Sequence, residues 1–172
     1  MTGGESRWPI TIGTIGVILG VVMIVDTVDE FVTLRWTAVE WRTFLGSYIA
    51  DWVVRTLPPL GWRLVSALVQ TGLGGLLIIG SVGLRRRSRA GVSRCRLWAW
   101  LAVGWAAVTI GLGTLWLLRH YAELPSLASP GVGGYVVFGL ALALALLLAF
   151  PIFLLVWLSL PQVRAEHEAW NA

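Results

Sequence analysis

Long apolar stretches constrain this chain more than any other feature of its sequence. Four of them lie at about residues 8–26, 62–84, 97–118 and 134–160, and their cores carry no ionisable side chain. A helix rises about 1.5 Å per residue, so about 20 residues cross the roughly 30 Å hydrocarbon layer of a bilayer. The stretches are continuous rather than alternating, which favours helices over a membrane barrel. The sequence therefore predicts an all-α integral membrane protein with four transmembrane helices in one domain, 1–172.

Composition agrees with lipid as the solvent. The chain is 57% hydrophobic and only 13% charged, with a mean hydropathy of +0.79. Soluble globular domains are about half apolar and about a quarter charged. With 172 residues in all, four spans leave no room for a separate soluble domain.

A short arginine-rich segment, 85–96, sets the predicted topology. Short basic loops stay in the cytoplasm, so both termini, including the tail 161–172, are predicted to be cytoplasmic. Proline at 161 suits the first turn of a short helix in that tail. Guanidinium groups at this level also predict contact with anionic lipid head groups. The six arginines concerned are Arg85, Arg86, Arg87, Arg89, Arg94 and Arg96.

The net charge of +4 and the pI near 10.2 do not indicate a nucleic-acid partner, because so many of the arginines are gathered in that one loop. Every basic residue except the two histidines is arginine. This bias is typical of a GC-rich genome. We therefore expect a bacterial protein of the inner (cytoplasmic) membrane, with the bilayer itself as its first partner.

The first outer loop contains an amphipathic pattern. Apolar side chains recur at helical spacing on one stripe, and the main ones are Trp41, Phe44, Tyr48 and Trp52. This spacing predicts a helix at about 37–57. The helix either lies flat on the outer membrane surface or packs onto a partner protein.

Small and polar residues predict how the spans pack. Gly16 and Gly20 form a GxxxG pair in the first span, and Gly75 continues a row of small residues in the second. Such faces let helix backbones approach closely, either within one chain or against a partner. Gln70 is the one strongly polar side chain at depth, and its amide favours contact with another helix over contact with a substrate.

Few residues suggest chemistry. No nucleotide loop, nucleophile–base pair or Cys/His metal spacing is present, so no catalytic, cofactor or metal site is predicted. His120 and His167 are predicted on opposite sides of the membrane, and Cys95 is the single cysteine. An enzyme would need carboxylates at the outer interface, for instance Asp26, Asp29 or Glu40.

Three hypotheses for function follow from these features. The first is a non-catalytic interaction protein, an accessory or assembly subunit of a larger membrane complex. Its partner would be another membrane protein or further copies of the same chain. The second is an oligomeric channel or transporter for a small solute, motivated by Gln70 and by a kink or hinge at Pro151. The third is a membrane enzyme with a site at the outer interface.

Overall fold

The computed structural model describes residues 6–33, 60–120, 141–142, 145 and 148–170, and these form helices and turns without any strand. The all-α prediction is therefore confirmed for the described residues. The helices are α1 Trp8–Thr33, α2 Leu60–Arg85, α3 Arg89–His120, α4 Leu148–Trp157 and α5 Pro161–Glu168.

Three of these helices are long and apolar enough to cross a membrane, over Trp8–Val28, Leu60–Arg85 and Arg89–Leu115. They lie over the first three predicted spans. Helices α4 and α5 are bent by 70° at a short break and would provide a fourth span if counted together. The first part of the predicted span 134–160 and the predicted helix 37–57 lie outside the described residues.

The connection between α2 and α3 is shorter than the predicted loop 85–96. Helix α2 ends at Arg85, and α3 already begins at Arg89. Arg87 adopts a left-handed conformation with φ 53°, which ends a helix in the way that glycine often does. Ser88 then caps α3, because its Oγ accepts the Gly91 N–H at 3.2 Å. Charge marks a segment as polar but does not break a helix, and arginine and alanine favour helical structure.

The chain divides into two compact units, Met1–Arg85 and Arg86–Ala172. In the first unit α1 and α2 pack antiparallel, because Gly13 near the start of α1 faces Ser81 near the end of α2. Further along, Gly20 faces Gly74. One membrane domain over the whole chain stays a prediction.

In the second unit α4 and α5 pack against α3. The Trp98 ring lies 5.8 Å from the Phe150 ring, centroid to centroid. Leu158, just after α4, and Val163 on α5 are buried. Pro161 lies in the first turn of α5, where a missing N–H leaves no hydrogen bond unmade. The predicted kink at Pro151 depends on Leu147, which lies outside the described residues.

Candidate functional site

The α1–α2 contact is built on glycine. A Cβ added to Gly20 would lie 2.8 Å from the carbonyl oxygen of Gly74, and one added to Gly74 would lie 2.9 Å from the carbonyl oxygen of Gly20. A Cβ on Gly16 would collide with the Ser81 hydroxyl. The two backbones therefore touch directly, which only residues without a side chain permit.

The α2 side of this contact repeats every seven residues rather than every four. Ala67, Gly74 and Ser81 are all buried, whereas a Cβ on Gly75 would meet nothing within 4 Å. A seven-residue repeat keeps one face of a helix turned towards a neighbour over several turns. Gly16 therefore lies in the contact and Gly75 lies outside it.

The α1 side follows the same repeat. Gly13, Gly20 and Thr27 are buried at spacings of seven, and the Thr27 hydroxyl donates to the Met23 carbonyl at 2.8 Å. Its polarity is thus satisfied within its own helix, as hydroxyls in apolar surroundings require.

Gln70 is half-buried on α2. It lies three residues from Ala67 and four from Gly74, so it shares their face of the helix. This position suits a side chain that contributes to helix packing. Pro151, the other residue that motivates a channel, belongs to the other unit.

The six arginines of the basic segment fall into different environments. Arg85, Arg86 and Arg94 are exposed, and Arg87 is half-buried in the turn. The remaining two contact the C-terminal part of the chain. Arg89 donates to the carbonyl of Glu168 at the end of α5, and Arg96 donates through Nη2 to the carbonyl of Leu158 just after α4, at 2.9 Å.

These two arginines supply hydrogen bonds to carbonyl oxygens at the ends of α4 and α5. The last carbonyls of a helix have no partner within the helix, and they carry a partial negative charge. A guanidinium group donates a hydrogen bond to such a carbonyl, and its positive charge offsets the partial negative charge. Arg89 and Arg96 therefore hold the C-terminal helices against α3. His167 on α5 lies near enough to Arg96 for its charge to act on the ring. We call Arg89, Arg96 and His167 the arginine–histidine junction.

The second unit also holds buried polar atoms without a hydrogen-bond partner among the described residues. They are Arg96 Nε, His167 Nε2 and the indole Nε1 of Trp98. Trp98 itself is only 3% exposed. Buried polar atoms in folded proteins almost always have a partner, so these three atoms are unusual within the described part of the chain.

The surroundings of His167 change its acidity. Burial lowers the pKa of His167 below its ordinary value, and the nearby Arg96 guanidinium lowers this pKa further. The ring also makes an edge contact with Trp170, at 6.3 Å between centroids. Next to it, Arg164 pairs with Glu168 at 2.8 Å, and this hydrogen bond holds the pKa of Glu168 below its ordinary value.

The lowered pKa of His167 predicts that acid weakens the fold. The unfolded chain binds this proton more readily than the folded chain does. The stabilising effect of the neutral ring is therefore complete above the ordinary pKa, 6.5, and is lost as the pH falls through that value towards the lowered one. We expect the Tm of the purified chain to fall between pH 8 and pH 5, and the fall to be smaller in His167→Gln. Equal pH profiles for the two proteins would contradict this role.

An aromatic row runs beside the junction. Phe150 and Phe153 stack at 6.4 Å, and Phe153 and Trp157 stack at 5.7 Å. These three rings lie along α4 at helical spacing, and Trp98 of α3 packs against the first of them. Aromatic rings with an N–H group favour the boundary between lipid and water.

Sequence reasoning missed two parts of these sites. Gly74 was overlooked in favour of its neighbour Gly75, although its seven-residue spacing from Ala67 and Ser81 was a readable signal. From the sequence, His167 is placed only by its side of the membrane, opposite His120. No sequence signal places it beside Arg96, because that contact depends on how α5 folds back.

The predicted residues Trp41, Phe44, Tyr48 and Trp52 lie outside the described part of the chain. Within the described ranges no group of three or more His, Cys, Asp or Glu residues is arranged to hold a metal ion. Comparisons of this chain with protein families, with curated proteins and with solved structures gave no match.

Proposed function

We propose that this chain is a non-catalytic integral membrane protein, an accessory or assembly subunit that binds a transmembrane helix of another subunit through α3. We also propose that the chain lies in the bacterial inner membrane with both termini in the cytoplasm. One observation carries the proposed role: two helices of the chain have small residues at the same spacing.

The two patterns have the same spacing. Helix α1 packs on α2 through glycines 13, 16 and 20, at intervals of three and four. Helix α3 repeats these intervals with Gly104, Ala107 and Gly111. These three residues are exposed, and a Cβ on either glycine would meet nothing within 4 Å. Helix α3 thus offers a face of the kind that α1 uses for close packing, and no described residue of its own unit covers it.

The exposed surface of α3 supports the same conclusion. Only 17% of its apolar window is buried, against 33% for α2. Large apolar side chains on α3 such as Leu101, Val108 and Leu115 are exposed. Lipid covers such large side chains readily. A row of small residues, however, leaves a groove that another helix fills more closely than lipid chains do.

Hydroxyl groups on the candidate spans fit a lipid surrounding. Thr14, Thr71 and Thr109 each donate to the carbonyl four residues earlier, at 2.8, 2.9 and 2.9 Å. In hydrocarbon a polar group without a partner costs several kcal/mol. Helices that satisfy their own hydroxyls can face lipid without that penalty.

The proposal is tested by purifying the tagged chain from native membranes in mild detergent and identifying co-migrating proteins by mass spectrometry. We expect a stoichiometric membrane partner that is lost, by roughly tenfold or more, when Gly104 and Gly111 are both replaced by leucine, because the larger side chains fill the groove. Gly113→Leu is the matched control. It is an exposed glycine on the same helix, two residues from Gly111 and so on another face.

A lone monomer without any reproducible partner would overturn the proposal. A homo-oligomer without companions would instead favour the channel hypothesis, and flux measurements on Gln70 variants would follow. Equal loss of the partner in Gly113→Leu would show that the α3 face has no special role.

A further inference from the structure

We propose that Arg94 and the exposed apolar row that follows it on α3 bind one anionic phospholipid. The guanidinium group holds the lipid phosphate, and an acyl chain lies along Leu97, Leu101 and Val108. This site lies beside the glycine face of α3 and does not rest on a protein partner. It narrows the predicted lipid contact from six arginines to one, and it adds a surface for the acyl chain.

Arg94 belongs to a helix, and this fixes its neighbours. The sequence predicted a loop up to residue 96, but α3 already begins at Arg89. Residues three and seven positions apart lie on the same side of a helix, so Leu97 and Leu101 follow Arg94 towards the middle of α3. Val108 continues the row seven residues later. A loop would give the arginine no fixed relation to these side chains.

The whole row faces outwards. Arg94 is exposed, and its side chain makes no hydrogen bond or ion pair within the described part of the chain. Leu97, Leu101 and Val108 are each about half exposed, on a helix that is apolar enough to cross a membrane. Small residues let another helix approach closely, and this row has none. Lipid is therefore the occupant that fits it.

Three other arginines of the segment are already engaged by the fold. Arg89 and Arg96 donate to carbonyls at the ends of α5 and α4. Arg87 is half-buried in the turn between α2 and α3. Their guanidinium groups are thus less accessible to a lipid phosphate than that of Arg94.

The remaining two arginines lack an apolar row. The stem of Arg85 lies against α1, since a Cβ added to Gly13 would come 2.6 Å from its Cγ. One turn back from Arg85, Ser81 is buried in the α1–α2 contact. Arg86 is exposed, but it lies between the two helices, so no helical row continues from it. Arg94 alone of the six combines an exposed cation with an exposed apolar row.

The dimensions of the row fit one leaflet. From Leu97 to Val108 the helix rises about 17 Å, close to half of the roughly 30 Å hydrocarbon layer. Trp100 lies next to the start of the row and is 63% exposed. Tryptophan prefers the boundary between head groups and hydrocarbon. Arg94, six residues before Trp100, then lies at the level of lipid phosphates.

The charge around Arg94 favours an anionic lipid over a zwitterionic one. Helix α3 carries no carboxylate over its whole length, whereas Arg89 and Arg96 lie on it as well. The phosphate of a zwitterionic lipid brings its own cation, which these arginines repel. An anionic head group has no such cation, so its charge complements this end of α3.

The test measures lipid binding by native mass spectrometry of the full chain, released from maltoside micelles. Phosphatidylglycerol and phosphatidylcholine with identical oleoyl chains are titrated separately. We expect one phosphatidylglycerol to bind saturably, and phosphatidylcholine to bind more weakly by roughly tenfold. Equal binding of the two lipids, or anionic binding that does not saturate, would overturn the proposal.

Matched arginine variants locate the head group. We expect Arg94→Gln to weaken phosphatidylglycerol binding roughly tenfold or more. Arg86→Gln removes the same charge from an exposed position without an apolar row, and it changes binding by about twofold or less at about 0.15 M salt. Equal losses would mean diffuse attraction to the arginines and would rule out a site at Arg94.

Matched leucine variants locate the acyl chain. We expect Leu101→Ala to weaken phosphatidylglycerol binding roughly threefold, and Leu68→Ala, at an exposed position on α2, to leave it unchanged. Circular dichroism checks that each variant keeps its helices. Should Leu101→Ala fail to fold, Leu97→Ala takes its place. Full binding in the folded α3 variant, or the same loss in Leu68→Ala, would contradict the proposal.

Discussion

Replacing Gly74 by alanine is expected to lower the free energy of unfolding by about 1–3 kcal/mol, because it overfills a packed contact. The new Cβ would lie 2.9 Å from the Gly20 carbonyl oxygen and 2.9 Å from Ile24 Cγ1. A β-branched isoleucine has one preferred χ1 rotamer in a helix, and the carbonyl belongs to the backbone of α1, so neither group moves aside easily. The helices must therefore separate, and the close approach along the whole contact is lost.

The adjacent glycine provides the control. Gly75→Ala places a Cβ in open space, and alanine favours a helix over glycine by about 0.5–1 kcal/mol. We expect this variant to be unchanged or slightly more stable. Thermal unfolding in maltoside micelles, followed by circular dichroism, measures both. Equal destabilisation by the two substitutions would show that loss of glycine itself matters, and not its place in the contact.

Replacing Arg96 by glutamine is expected to lower the free energy of unfolding by about 1.5–3 kcal/mol, the range for hydrogen bonds to charged groups. The variant removes the donor to the Leu158 carbonyl at 2.9 Å and leaves that carbonyl without its cationic cap. For a chain of this length the Tm falls by roughly 3–12 °C.

Arg94→Gln serves as the control for charge. Its side chain is exposed, and substitutions at such positions usually change stability by less than about 0.5 kcal/mol. The two variants alter the net charge equally, so a difference between their Tm values reports the Arg96 contact alone. Equal Tm values would mean that Arg96 does not brace the end of α4.

The sequence alone determined the helical class and the location of the long helices. Uncharged apolar runs of about 20 residues can satisfy their backbone in an apolar solvent only as helices, so α1, α2 and α3 were readable without a partner. Proline at 161 likewise predicted the start of α5, because its ring suits the first turn of a helix. These are local properties of the chain.

Only the tertiary structure decided which side of each helix is used. The sequence offered both Gly74 and Gly75, and the choice between them depends on the direction in which α1 crosses α2. In the same way all six arginines looked alike, and Arg96 is distinguished only because the end of α4 lies beside it. Faces and pairings of this kind arise between segments that are distant in sequence, so no local pattern contains them.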